Sequence, residues 1–162
     1  MIIRPCNNYG PYQHPEKFIP KIIIRALHDK PIPVYGTGEQ VRDWLYVEDF
    51  CEALDIVIRC GRVGESYNIP GFNERRNIEV VLKILKILGK PRSLIKFVED
   101  RPGHDFRYSL KGDKILALGW KPKTSWDVGL RKTIDWYMRN EWWWRPLLSD
   151  QYFKLDTPWK RE

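Results

Sequence analysis

The sequence of 162 residues predicts a mixed α/β fold that forms a single domain over residues 1–162. Short apolar runs alternate along the chain with longer segments whose apolar residues recur every three or four positions. This alternation of strand-like and helix-like patterns is typical of α/β proteins. The apolar content of 43% and the charged content of 30% are ordinary for a soluble globular domain.

The first elements are a strand end, a turn and a helix. Residues 1–5 have the apolar pattern of a strand, and residues 7–15 contain two Asn, one Gly and two Pro, which is the composition of a turn. A helix is predicted over residues 16–27, beginning after Pro15. Pro20 fits this helix only if the first turn starts later than residue 16.

Two strands follow, over residues 32–35 and residues 40–47. Gly36 and Gly38 lie between them, and two glycines at this spacing predict a hairpin turn. They are too few for a dinucleotide-binding loop, and no strand–helix–strand unit surrounds them.

The next helix has the clearest periodicity, because its apolar residues fall on one helical face. These residues are Phe50, Ala53, Leu54, Val57 and Ile58. Gly61 follows Cys60 and predicts the end of this helix.

A strand over residues 65–69 and a helix capped by Asn77 come next. The apolar face of this helix consists of Ile78, Val81, Leu82, Leu85 and Leu88. Gly89 predicts its end, and a further strand is expected over residues 94–98.

The last part of the chain is predicted to be helical. A short helix covers residues 112–118, and Thr124 or Ser125 caps a final long helix. The buried residues expected on this last helix are Leu130, Ile134, Tyr137 and Met138.

The charge favours a small anionic ligand over a polynucleotide. Twenty-eight basic and 21 acidic residues give a net charge of +7, which attracts anions. The basic residues are spread along the chain among acidic ones, so a solvated basic surface explains them better than nucleic-acid binding does. A dianionic ligand fits the same charge.

Membrane insertion and metal binding are both disfavoured. No uninterrupted apolar run is long enough to span a membrane, and residues 1–5 do not form a signal peptide. The three cysteines follow no disulfide or metal spacing and are interpreted as reduced thiols, which indicates a cytoplasmic protein. The three histidines are too dispersed to suggest a metal site. The tryptophans at 142–144 suggest packing of a terminal helix more than a membrane-interface belt.

Two segments contain groups that could bind an anion. Arg42 lies beside Asp43 in a predicted strand, where a surface salt bridge and a guanidinium fork on phosphate oxygens are equally compatible with the sequence. Residues 100–105 form a rigid Pro-Gly turn flanked by Arg101 and His104, which could direct two donors at one anion. Taken alone, this turn is better explained as a capped turn with solvated charges.

The order of these segments closely resembles the dTDP-glucose 4,6-dehydratase family, which belongs to the extended short-chain dehydrogenase/reductases. The similar segments are residues 7–17, 33–36, 40–49, 67–69, 73–77, 100–105, 118–120 and 136–137. The sequence Arg-Asp-Trp-Leu-Tyr-Val is shared with related epimerases, whereas His-Pro-Glu-Lys combined with Arg-Pro-Gly-His-Asp is more specific to the dehydratases. The resemblance runs from residue 3 to about residue 152.

The resemblance implies a substrate site for a dTDP-sugar. Its residues are Asn7, Lys17, Phe18, Pro33, Val34, Tyr35, Arg42, Asn77, Asp100, Arg101, Pro102, Gly103, His104 and Tyr152. In the family, the positions of Pro33, Val34 and Tyr35 pack against the thymine base, and those of Arg42 and Arg101 contact the diphosphate. Asn8 matches a position that contacts the nicotinamide end of NAD. The match of Tyr152 is the weakest, because residues 145–162 form a divergent tail.

The resemblance also implies that catalytic parts are absent. The chain contains no Gly-rich dinucleotide fingerprint and no Tyr-x-x-x-Lys pair. Residues 1–5 correspond to a late strand of the family's Rossmann sheet, so we expect the C-terminal, substrate-binding part with most of the Rossmann domain missing. The family uses NAD in a lyase reaction that yields dTDP-4-keto-6-deoxyglucose. This chain is expected to contain no catalytic residue, not to retain NAD, and to be inactive alone.

Three hypotheses remain open. The chain is a truncated dehydratase half, a half of a related nucleotide-sugar 4-epimerase or GDP- or UDP-sugar dehydratase, or a non-catalytic binding or assembly module. The expected partners are a dTDP-sugar nucleotide, a separate Rossmann half, and further copies of the chain through self-association.

Overall fold

The structure, a computed structural model, describes residues 1–149, 153 and 155–159. Strands and helices alternate along these residues, so the predicted mixed α/β class is confirmed. The strands are β1 (Ile2–Pro5), β2 (Asn7–Tyr9), β3 (Ile32–Tyr35), β4 (Val41–Tyr46), β5 (Ser66–Ile69), β6 (Glu74–Arg76), β7 (Ile95–Val98) and β8 (Arg107–Tyr108). The helices are α1 (Phe18–Leu27), α2 (Val47–Cys60), α3 (Asn77–Leu88), α4 (Asp113–Ala117), α5 (Trp126–Arg139) and α6 (Glu141–Trp144).

Strand β4 is the centre of the largest sheet. It pairs in parallel with β2 and β8 and antiparallel with β6. Two further parallel pairs, β1 with β5 and β3 with β7, complete the sheets that the structure describes. Most pairings are therefore between strands distant in sequence, and β4 brings the segments around residues 7, 75 and 107 together.

Two hydrophobic clusters hold these elements in place. The first joins α1, α3 and α5 through fully buried side chains such as Ile23, Ile84 and Leu130. The second packs α2 and α4 on β5 and includes Val57 and Ile115. Burying a large aliphatic side chain stabilises the fold by about 1.5–3 kcal/mol, so the two clusters fix the strand ends that they surround.

The predicted turn after β1 and the predicted hairpin are both wrong in part. Residues 7–9, assigned to the turn, form strand β2, because their backbone groups pair with β4. Gly36 and Gly38 do adopt left-handed φ angles of 56° and 76°. However, β3 pairs with β7 and not with β4, so the turn between β3 and β4 connects two different sheets.

Helix boundaries agree with the prediction except at a few positions. Helix α1 begins at Phe18, which places Pro20 in the first turn, where its missing N–H is tolerated. Asn77 is the first residue of α3 rather than its cap, which is Arg76; the Arg76 backbone N–H donates to the Glu79 carboxylate at 3.0 Å. Ser125 takes the cap position of α5, as one predicted alternative had it.

Two residues predicted on buried helical faces are exposed. Ile58 is 63% exposed and Met138 is 56% exposed. Each follows a fully buried neighbour, Val57 or Tyr137, by one position, which corresponds to a rotation of about 100° around the helix. On both α2 and α5, the stripe of apolar side chains that packs on the core is therefore narrower than the sequence pattern suggested. Among the described residues, no helix combines the length and the apolar character that crossing a membrane requires.

Candidate functional site

Two adjoining cavities lie where β3, β4 and the starts of α1 and α3 meet. The polar cavity, of about 210 Å³, is lined by Asn7, Phe18, Tyr35, Arg42, Trp44, Asn77, Arg101 and His104. The apolar cavity, of about 200 Å³, is lined by Glu16, Lys17, Phe18, Lys21, Ile22, Ile32, Pro33 and Tyr35. Because Phe18 and Tyr35 line both, the two cavities share a wall.

The position of β4 explains how the polar cavity forms. Arg42 and Trp44 are two residues apart on this strand, so their side chains project from the same face of the sheet. Asn7 lies beside Trp44 in the pairing of β2 with β4. The rings of Phe18 and Trp44 stack, with centroids 6.1 Å apart and an interplanar angle of 18°. Strand β4 therefore places the cation of Arg42 and the aromatic ring of Trp44 at the same cavity.

Arg42 is a buried cation that is fixed in place by neutral groups. Its side chain is 9% exposed, and its guanidinium donates to the carbonyls of Val41 at 2.7 Å and Asp105 at 2.8 Å. Burial lowers the pKa of Arg42, and the nearby positive charge of Arg101 lowers it further. Neither guanidinium forms an ion pair with a carboxylate within the described part of the chain, so an anion entering the cavity would relieve their repulsion.

The loop over residues 100–105 is held by Asp100. The Asp100 carboxylate accepts hydrogen bonds from His104 Nδ1 at 2.6 Å, Gln40 Nε2 at 2.6 Å and the Arg101 backbone N–H at 2.9 Å. Partial burial pushes the pKa of Asp100 upward, but these three donors outweigh burial and hold it below its ordinary value. The ionised carboxylate thus orients the imidazole of His104 at the polar cavity.

Nine of the residues predicted for the substrate site line these two cavities. They are Asn7, Lys17, Phe18, Pro33, Tyr35, Arg42, Asn77, Arg101 and His104. Asp100 lines neither cavity but accepts from His104 and Arg101, which do, and Val34 is buried in the first hydrophobic cluster. Pro102 and Gly103 are exposed in the loop and line neither cavity. Tyr152 lies outside the described residues.

Asn8 lines a different cavity from the residues that were predicted to bind the substrate. It lines a third cavity of about 300 Å³, together with residues 9–13 and Val47. The side-chain oxygens of Asn8 and Gln13 are buried and accept no hydrogen bond within the described residues. Gln13 is itself held in place, because its Nε2 donates to the Asn8 carbonyl at 2.9 Å and its own carbonyl accepts from the Tyr137 hydroxyl. Two residues that line this cavity therefore carry buried acceptors that have no donor within the described residues.

Sequence reasoning missed several residues of the site. Trp44 could have been found, because it follows Arg42 by two positions on a predicted strand and so shares its face. Gln40 gave no such signal, since its contact with Asp100 spans 60 positions. Lys21, Ile22 and Ile32 line the apolar cavity only because α1 packs beside β3. Over residues 1–149, 153 and 155–159, no three metal-ligating side chains lie close enough to hold an ion.

Comparison with known proteins extends this picture. Residues 1–70 match the NAD dependent epimerase/dehydratase family. A protein of Sinorhizobium fredii named probable dTDP-glucose 4,6-dehydratase is 50% identical over 161 residues, which is 94% of this chain and 46% of that protein.

Two solved structures share the fold. A dTDP-glucose 4,6-dehydratase from Streptomyces venezuelae, with NAD and TYD bound, aligns with a TM-score of 0.88 and 46% identity. A dTDP-glucose 4,6-dehydratase from Bacillus anthracis in complex with NAD aligns with a TM-score of 0.85 and 49% identity. Each alignment covers 90% of this chain and 46% of the other.

The fraction of each relative that the chain spans is as informative as the degree of similarity. The chain spans less than half the length of the curated relatives it matches. Its strands and helices fit a partial short-chain dehydrogenase/reductase fold, as predicted. The resemblance seen in the sequence is confirmed: the chain is similar to one part of the dTDP-glucose 4,6-dehydratases.

Proposed function

We propose that this chain is the substrate-binding part of a dTDP-glucose 4,6-dehydratase and binds a dTDP-sugar nucleotide across the polar and apolar cavities. In this proposal residues 1–162 act as one binding domain. The diphosphate occupies the polar cavity, and the thymine base occupies the apolar cavity, with Phe18 and Tyr35 forming the shared wall.

One observation carries this proposal: Arg42 and Arg101, from segments about 60 positions apart, share a cavity without a carboxylate partner in the described structure. A desolvated diphosphate requires paired positive charge, and guanidinium groups supply it with bidentate geometry. Asn77 and His104 add neutral or cationic donors on the same cavity. A surface salt bridge of Arg42 with Asp43 is excluded as the alternative, because Asp43 is fully buried and accepts the backbone N–H groups of Gly71 and Asn73 instead.

The apolar cavity suits a pyrimidine base. Ile32 and Pro33 provide apolar contact from β3, and Tyr35 provides a flat ring at its end. Lys17 stands at the same cavity and, beside its ion pair with Glu16, has N–H donors for the carbonyl oxygens of a base or for hydroxyl groups of a sugar, whereas the Lys21 ammonium already donates to the Leu155 carbonyl. These contacts hold substrate and transition state equally, so they contribute affinity but not rate acceleration.

Catalysis requires groups outside this chain. Asn8 and Gln13 fit the amide of a nicotinamide ring, because their buried oxygens have no donor among the described residues. NAD would supply the hydride chemistry of the family. The sequence offers no Gly-rich loop for its pyrophosphate and no Tyr-x-x-x-Lys pair, so we propose that the chain alone neither retains NAD nor turns over dTDP-glucose.

Isothermal titration calorimetry with dTDP tests the proposal. Saturable binding to the wild-type chain is expected, with UDP and GDP binding more weakly, whereas tighter binding of UDP or GDP would support the alternative of an epimerase or of another dehydratase. No saturable heat with any of the three nucleotides would refute nucleotide binding. A turnover assay with dTDP-glucose and NAD is expected to give no 4-keto product, and product formation would refute the inactive fragment.

A second proposal concerns assembly through β1. This strand pairs only with β5 among the described strands, so its other edge has free backbone groups. Met1 and Ile2, at the start of this strand, are 49% and 56% exposed. We propose that the edge pairs with a separate Rossmann half or, without it, with a second copy of the chain. Light scattering coupled to gel filtration is expected to show self-association, and a strictly monomeric chain at high concentration would contradict it.

A further inference from the structure

The C-terminal tail, residues 153 and 155–159, folds back onto the wall of the apolar cavity. Phe153 is buried within the first hydrophobic cluster, and its carbonyl accepts from the Arg25 guanidinium at 3.1 Å. The same guanidinium lies 5.8 Å from the centre of the Phe153 ring. The tail is therefore anchored on α1, whose first turn lines the cavity.

Asp156 provides a second anchor for the tail through ion pairs. Its carboxylate forms ion pairs with Arg25 at 2.9 Å and with Lys96 at 3.0 Å. Arg25 belongs to α1 and Lys96 to β7, which pairs with β3. Because the Arg25 side chain is only 8% exposed, the Arg25–Asp156 pair is shielded from solvent on one side. The tail thus bridges the two elements that enclose the apolar cavity.

Two side chains of the apolar cavity are contacted directly by this tail. Lys21 Nζ donates to the Leu155 carbonyl at 2.7 Å. The ring of Trp159 lies edge-to-face against Tyr35, with centroids 4.6 Å apart and an interplanar angle of 89°. Tyr35 also meets His104 at a centroid distance of 6.3 Å. The aromatic wall between the two cavities is therefore held between the tail and the loop over residues 100–105.

We propose that Trp159 is a positioning residue for nucleobase recognition, which acts by fixing the ring of Tyr35 at the boundary of the apolar and polar cavities. This inference rests on the proposed nucleotide binding and deepens it. An edge-to-face aromatic pair is favourable beyond the area that it buries, so the pair can hold one orientation of Tyr35 against rotation. The base-binding surface is then set by a residue that is 124 positions away from Tyr35 in the sequence.

A purely structural tail predicts a different outcome. If Trp159 only packs the tail, its removal should lower stability and affect all ligands alike. If Trp159 positions Tyr35, its removal should weaken ligands that carry the base and leave inorganic pyrophosphate unaffected, because pyrophosphate needs only the polar cavity.

Calorimetry with three variants separates these outcomes. Trp159→Ala is expected to weaken dTDP binding about fivefold, within the range of an aromatic pair, and to change pyrophosphate binding less than twofold. Trp159→Phe keeps an aromatic edge and should restore most of the affinity. Trp142→Ala, at a tryptophan that is 68% exposed, is the matched control and should bind dTDP as the wild type does. Equal affinity of Trp159→Ala and wild type for dTDP, or equal losses for dTDP and pyrophosphate, would overturn the inference.

A second measurement uses the folded wild-type chain labelled with 5-fluorotryptophan. The fluorine resonance of Trp159 is assigned by its loss in Trp159→Phe, and that of Trp44, which lines the polar cavity, by its loss in Trp44→Phe. On addition of dTDP both resonances should shift, whereas pyrophosphate should shift Trp44 alone. A shift of Trp44 without Trp159 on addition of dTDP refutes the role of Trp159 and leaves nucleotide binding intact. No shift of either resonance refutes nucleotide binding itself and the inference with it.

Discussion

The polar cavity and the third cavity differ in which of their buried polar atoms lack a partner among the described residues: a donor, Trp44 Nε1, at the polar cavity and two acceptors at the third. In the polar cavity the guanidinium of Arg42 is fixed by two carbonyls and the imidazole of His104 by Asp100. Its lining comes from six separate segments of the chain. In the third cavity the lining is one short stretch of residues 8–13 with Val47, and two buried oxygens accept no hydrogen bond within the described residues.

This contrast distinguishes a cavity whose donors are partly held in place by this chain from a cavity whose acceptors lack donors among the described residues. Arg42 and His104 are already held in place and cost little to organise when an anion binds, so we expect the polar cavity to bind its ligand without further protein. The buried oxygens of the third cavity lack partners, and such groups are costly unless something pairs them. We therefore expect the nucleotide side to be functional here and the nicotinamide side to depend on further protein.

The largest expected difference is between the affinities of this chain for dTDP and for NAD. dTDP should bind at least about 100-fold more tightly than NAD, which corresponds to about 2.7 kcal/mol. The reason is that the third cavity supplies acceptors for one amide only, whereas most of the NAD molecule has no recognition site in the sequence. Parallel calorimetric titrations of the same preparation measure both constants, and comparable affinities would abolish the distinction between the cavities.

Loss of either arginine should have the next largest effect. Arg42→Ala and Arg101→Ala should each weaken dTDP binding by about 1.5–3 kcal/mol, the range of hydrogen bonds to charged groups. Arg92→Ala removes an exposed arginine that lines neither cavity and is the matched control. Unchanged dTDP affinity in both Arg42→Ala and Arg101→Ala would show that the diphosphate does not bind in the polar cavity.

Asp100→Asn should have a smaller effect on binding and a distinct pH dependence. It should weaken dTDP binding by about 1 kcal/mol, because His104 loses its charged partner. The hydrogen bonds hold the pKa of Asp100 below its ordinary value of 3.8, so this group stabilises the folded chain above that pH and loses the effect as the pH falls through its lowered pKa. Urea unfolding at pH 7 and pH 3 should show wild type and variant converging at the lower pH. A constant difference in the free energy of unfolding would contradict the assignment.

Asn8→Ala should have the smallest effect on dTDP. It removes one unpaired buried oxygen at the third cavity, and Asn8 lines neither the polar nor the apolar cavity, so a change within about 0.3 kcal/mol is expected. A loss comparable to that of the arginine variants would mean that the two cavities bind one ligand together.

Local sequence patterns were sufficient for the long elements. Helices α2, α3 and α5 were predicted within a few residues, because each buries a stripe of apolar side chains with helical spacing. Strands β2, β6 and β8 were not predicted. They contain only two or three residues each, and their conformation depends on pairing with β4 rather than on their own composition.

The site was predictable where its residues matched a known pattern. Arg42 and Arg101 were predicted through the resemblance, since neither segment alone distinguishes a phosphate contact from a solvated charge. Gln40 and Trp159 were not predicted, because their contacts with Asp100 and Tyr35 span 60 and 124 positions and leave no periodic trace. Long-range partners of this kind are determined by packing.

The like-charged pair of Arg42 and Arg101 has a practical consequence for every titration proposed above. Asp100 and Asp105 only partly offset the positive charge at this cavity, so we expect it to attract phosphate, sulfate or citrate from the surrounding buffer. Such an ion acts as a competitor, and the apparent dissociation constant of a nucleotide rises linearly with the concentration of the free ion. Measurements in a chloride buffer of low ionic strength should therefore give the tightest constants, and added sulfate should weaken them progressively.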